Sequence, residues 1–122
     1  MKVSPDYYDE IFPFKGQWDM PSSCGLKIRT VEGKTFVIVT ELYQDNPGTS
    51  VTYAGRSLAE QICEAKGLNL NDICFIECNP CTNSKLSFYD EEYFAVDLGA
   101  DPAHKYRQLT QDEVNRMLGK EE

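Results

Sequence analysis

The spacing of hydrophobic and polar positions changes period several times along the chain, and each change predicts an element. Leu26 and Ile28 alternate with Lys27 and Arg29, the two-residue period of a strand with one covered face. Glu32-Gly33 then supplies a two-residue turn into Thr35 to Leu42, so the two runs predict a β-hairpin. Within the second run, Phe36-Val37-Ile38-Val39 has no polar alternation, which predicts a strand covered on both faces. Past Asp45-Asn46-Pro47-Gly48-Thr49-Ser50, residues Val51, Ala54, Leu58, Ile62 and Ala65 recur at steps of three and four, the stripe of a helix packed on a sheet. Thr49 or Ser50 can cap its start and Gly67 can end it in a left-handed conformation. Gly55 interrupts the stripe as a poor helix former, which points to close approach of a strand. Ile73 to Cys78 is the next apolar run, so strand, helix and strand together predict a parallel crossover.

Further on, Lys85 to Tyr89, the turn Asp90-Glu91-Glu92 and Tyr93 to Leu98 predict a second hairpin. Gly99-Ala100-Asp101-Pro102 breaks regularity until Thr110-Gln111-Asp112-Glu113, a capping-box sequence ahead of Val114, Met117 and Leu118 that predicts a short helix. The opening residues carry Tyr7, Tyr8, Phe12, Phe14 and Trp18 but are punctuated by Pro5, Pro13, Gly16 and Pro21, which reads as an irregular aromatic lid on the sheet. The expected fold is α+β: a small mixed sheet of about five strands in the order ββαββα, with helices mainly on one face. One domain is expected over 1–122, with the lid at 1–24, a ββαββ core at 25–98, and a loop and short helix at 99–122.

Composition narrows the setting. Hydrophobic content of 41% with six Phe, seven Tyr and one Trp suits a folded core rather than a disordered chain. The start has no apolar leader and no run reaches membrane-spanning length, so neither export nor insertion is expected. Five cysteines, an odd number, fit a reducing compartment better than a disulfide scaffold, and a cytoplasmic location follows. The net charge is −8, which argues against direct contact with a phosphate backbone. That charge is unevenly spread: residues 90–122 hold nine acids and four bases, whereas Lys27, Arg29 and Lys34 face only Glu32 between residues 21 and 40.

Three stretches carry candidate chemistry. The turn Asp45, Asn46, Gly48, Thr49 and Ser50 precedes a helix start, where unpaired N–H groups and the helix dipole favour an anion, and Arg56 lies a turn and a half further on. A P-loop would need G-x-x-x-x-G-K-[ST]. Here a lone Gly48 is followed by no lysine, and Glu41 and Asp45 oppose a bare anion. Next, Cys74, Cys78 and Cys81 stand in C-x-x-x-C-x-x-C spacing, similar over eight residues to the cluster-binding triplet of radical SAM enzymes, whose barrel this length cannot build. Cys74 and Cys78 in one extended strand are about 13 Å apart, too far to share one zinc. On that ground Cys63 and Cys74 are read as buried small hydrophobes, and Cys78 and Cys81 as free thiols with zinc or redox work as the alternative. His104, the single histidine, falls in a loop, and carboxylates are too numerous for an acid–base pair to be chosen among them.

These readings favour a noncatalytic intracellular interaction or regulatory domain over an enzyme, with no cofactor and no metal implied. Its acidic face, with Glu91, Glu92, Asp97 and Asp101, would engage a basic partner protein, an inhibitor or decoy of a nucleic-acid-binding protein being one special case. The alternatives are an anion or nucleotide site at Asp45 to Ser50, and a zinc or thiol-redox role for Cys78 and Cys81. Edge strands of a small sheet leave homo-oligomeric pairing open.

Overall fold

The run Phe36 to Val39 is the middle of a strand whose side chains are buried on both sides, as its lack of polar alternation predicts. In the computed structural model Val37 and Val39 are 0% exposed toward one face, and Ile38 is 1% exposed toward the other. The structure describes residues 8–16, 19–42, 51–79, 92–98 and 106–119, without the side chains of residues 41, 51–54, 79, 92 and 106. The strands are β1 (Glu10–Lys15), β2 (Pro21–Val31), β3 (Lys34–Glu41), β4 (Ile73–Asn79), β5 (Glu92–Val96) and β6 (Tyr106–Gln108). Two helices accompany them, α1 (Val51–Lys66) and α2 (Gln111–Leu118). The strands form one six-stranded sheet in the order β1-β2-β3-β4-β5-β6, antiparallel throughout except for the parallel pair β3–β4 that α1 connects.

The fold is therefore α+β with the expected strand–helix–strand crossover, but the described residues alone form six strands where about five were expected. The hairpin at Glu32-Gly33 has the predicted two-residue turn: Val31 pairs with Lys34, and both turn residues have positive φ, 52° and 79°. Such a primed turn matches the right-handed twist of the flanking strands. The residues expected to form an irregular lid include β1, an edge strand that sends Phe12 and Phe14 into the core. Pro13 hid it, because proline in a strand is tolerated only where its missing N–H would face away from the sheet. Lys15, two residues on, points its N–H and C=O away from β2 to the Gln61 side chain, at 2.8 and 2.9 Å, and Pro13 shares that outward direction. β6 lies in a stretch read as irregular, whereas the strand expected at Lys85 to Tyr89 lies outside the described residues.

The helices correct a second expectation, since they cover opposite faces of the sheet. Leu58, Ala59 and Ile62 of α1 pack with Phe12, Phe14, Leu26, Val37, Val39 and Phe75, while Val114 and Met117 of α2 pack with Ile38, Ile76, Cys78 and Tyr93. At about 1.5–3 kcal/mol for each large apolar side chain removed from water, the two covers are comparable contributors. The stripe on α1 also runs differently from its expected course: Ala59 and Cys63 are buried beside Leu58 and Ile62, and Ala65 is exposed. Gly67 ends α1 at φ 69°, with the Leu68 N–H donating to the Cys63 carbonyl at 2.9 Å and Leu68 packing on the core. This is the Schellman arrangement. Gly55 has φ 46° and ψ −123°, so it marks a kink that only glycine adopts readily, rather than a close contact inside a straight helix.

Two substitutions probe this backbone. Gly55→Ala would stabilise a straight helix, but at this kink it should lower stability by about 1 kcal/mol or more in urea unfolding. At Gly25, an added Cβ would lie 2.7 Å from three carbons of Tyr8. Gly25→Ala should therefore cost about 1–3 kcal/mol, and a double-mutant cycle with Tyr8→Gly, which removes all three carbons, should show coupling of about 1 kcal/mol or more.

Candidate functional site

Helix α2 owes its position to one carboxylate. The sequence Thr110-x-x-Glu113 closes a capping box: the Glu113 N–H donates to Thr110 Oγ1 at 3.2 Å, and the Thr110 N–H donates to Glu113 Oε1 at 3.0 Å. Arg107 on β6 grips the same carboxylate through both terminal nitrogens, at 2.9 and 3.0 Å. A fork-to-fork pair of this kind fixes direction as well as distance. These donors, Arg107 first, hold the Glu113 carboxyl at a pKa of about 2. Gly119 ends the helix at φ 71°, and Val114 and Met117 are left facing the sheet.

Among the described residues, α2 with its eight residues covers only part of its sheet face, and a groove of about 240 Å³ lies beside it. Phe36, Cys74, Ile76, Ala95, Leu109 and Met117 form its apolar surfaces, and Glu32, Lys34, Arg107, Glu113 and Arg116 supply the charges around it. A concave apolar surface with few polar groups is the usual form of a small-molecule site. A second cleft, of about 380 Å³, opens where β4 and β5 part. Their pairing stops at Ile76 opposite Ala95, although β4 continues alongside β3 to Ile73 and β5 continues alongside β6 to Val96. The cleft is lined by Arg56, Asn71 and Asp97 together with Leu70, Phe75 and Leu98.

The candidates from the sequence divide accordingly. Asp45, Asn46, Gly48, Thr49 and Ser50 lie outside the described residues, as do Glu91, Asp101, Cys81, His104 and Trp18. Arg56 is exposed, pairs with Glu60 at 3.1 Å and donates to the Leu98 carbonyl at 2.8 Å. Asp97 is exposed at the end of β5 and lines the same cleft as Arg56, so two residues expected to serve separate purposes are neighbours. Glu92 begins β5.

The cysteines exchange roles relative to expectation. Cys78 is a core residue beneath α2, while Cys74 is only partly covered and lines both the groove and the cleft. Cys63 is buried as expected, and burial pushes the Cys24 thiol up to about 12. None of the four described cysteines forms a disulfide. Among the described residues, no three of His, Cys, Asp or Glu come together in a way that could hold a metal ion, and no helix is long and apolar enough to cross a membrane.

The groove beside α2 escaped sequence reasoning because its residues come from five separate stretches. The one available signal was the capping box, which places the helix but not the partner face. Comparison with known proteins matches the chain to no family model, no curated protein and no solved structure.

The Glu113 clamp gives a definite pH dependence. A carboxyl whose folded pKa lies below its ordinary 4.5 stabilises the fold above that value, and the contribution fades as pH falls toward about 2. Glu113→Gln keeps a capping side chain but removes the charge. Its melting temperature should lie below that of the parent protein at neutral pH, with the gap narrowing under about pH 4.5 and closing near pH 2.

Proposed function

We propose that this chain is a noncatalytic interaction domain whose surplus negative charge attracts a basic partner protein. The observation that carries the reading is how the cations are spent. Arg29, Arg56, Lys66 and Arg107 are each paired one to one with Asp9, Glu60, Glu10 and Glu113, and all but the Arg56–Glu60 pair, which lies within α1, join separate stretches of the chain. Pairing of that kind removes a base with every acid, so a net charge of −8 stays on the surface. Asp72 and Asp112 are exposed acids of that surface, and Glu91, Glu92 and Asp101 extend it in sequence.

Such a field raises the rate at which an oppositely charged protein arrives and rejects other acidic proteins, more than it deepens the final affinity. A partner that itself binds nucleic acid is the natural special case, because its basic surface is shaped for polyanions. The odd count of five cysteines suits a reducing, cytoplasmic setting for this encounter.

The test is kinetic. A basic partner recovered by affinity capture from the host should associate about tenfold more slowly when ionic strength rises from roughly 0.05 M to roughly 0.3 M. Charge reversal at Glu91, Glu92 and Asp97 should slow association in low salt while leaving dissociation nearly unchanged. Association rates indifferent to both salt and charge reversal would overturn the proposal.

A further inference from the structure

We infer that the outer edge of β1 accepts an extended basic peptide, which adds to the sheet as a further strand in the place now held by the Gln61 side chain. The edge already binds an amide. Gln61 Oε1 accepts from the Lys15 N–H at 2.8 Å and Gln61 Nε2 donates to the Lys15 carbonyl at 2.9 Å, the two bonds that an antiparallel neighbour exchanges with a strand residue. The side-chain amide thus stands in for one residue of a neighbouring strand. Ile11 alternates with Pro13 and Lys15 and shares their outward direction, and among the described residues nothing is bonded to its outward N–H and C=O. Its side chain is 53% exposed on the edge strand, where an added strand would cover it.

The occupant is a foreign segment rather than a second copy. Two copies in the register that sets Ile11 of each against Lys15 of the other would bring Pro13 opposite Pro13, where neither has an N–H to give. They would also bring together two chains of net charge −8. A basic peptide escapes both costs: its own N–H donates to the Pro13 carbonyl, and its charge suits the field it enters. Gln61 swung off the edge still has Ser57 Oγ, 3.2 Å from Nε2, and water as partners, so its displacement strands no buried group. This inference deepens the reading above and rests on it only for the sign of the partner's charge.

The experiment titrates the protein with acetyl-Lys-Thr-Val-Lys-Val-Thr-Lys-amide and follows backbone hydrogen exchange by NMR. Exchange at Ile11 is expected to slow at least about tenfold at saturation. Gln61→Ala should speed exchange at Lys15 in the free protein and lower the half-saturating peptide concentration about fivefold. Ile11→Pro removes the remaining outward N–H and should raise that concentration about tenfold. Should Ile11→Pro not fold, Pro13→Val serves instead, since it restores a donor and should tighten binding about threefold. An analogue with glutamate for lysine should bind at least about tenfold more weakly in low salt. The inference fails if the lysine peptide leaves Ile11 exchange unchanged up to about 1 mM, if protection appears only at the opposite edge on β6, or if the Gln61 and edge variants bind like the parent. A captured partner that keeps its salt dependence in any of those cases would leave the charge reading standing and overturn strand addition alone. Equal binding of the glutamate analogue would instead overturn the basic character of the segment.

Discussion

The structure depends on a strand that has no side fit for water. Val37 and Val39 point one way and Ile38 the other, so β3 needs a cover on each face of the sheet. The crossover supplies one of them, since a parallel β3–β4 pair requires a long connection and α1 lies within it. The other cover must come from elsewhere in the chain. It is α2, only eight residues long, and its small apolar contact explains why so much polar machinery surrounds its first turn. A helix this short has little stability of its own, so the capping box and the Arg107 clamp offset what its length does not provide.

Charge in this molecule first serves position. Lys66 joins the last turn of α1 to Glu10 on β1 at 2.7 Å, at the helix end where a cation also meets the dipole favourably. Asp9 joins Arg29 at 2.7 Å, and that guanidinium holds the Asp9 carboxyl below its ordinary range. Gln61 completes the set without charge by taking the place of a neighbouring strand at Lys15. With Pro13 lacking an N–H two residues before, a second copy that tried to extend the sheet at β1 would meet an edge short of donors.

What could be read from the sequence was what local pattern controls. The primed hairpin, the unalternating strand, the Schellman stop at Gly67 and the capping box at Thr110 each depend on a few adjacent residues, and each is found where the pattern places it. The misreadings concern relations between distant stretches. Pro13 signals a break unless it is known that β1 lies at an edge, and edge status is a property of the whole sheet. The side on which α2 packs is likewise invisible, because an amphipathic stripe declares that a face is buried without naming the surface that buries it. Gly55 was legible as an anomaly but not as a kink, since a single glycine fits a close approach, a break or a cap equally well. The groove was the least legible feature of all: Lys34, Cys74, Ala95, Arg107 and Met117 share a surface only after the register of four strand pairs is set.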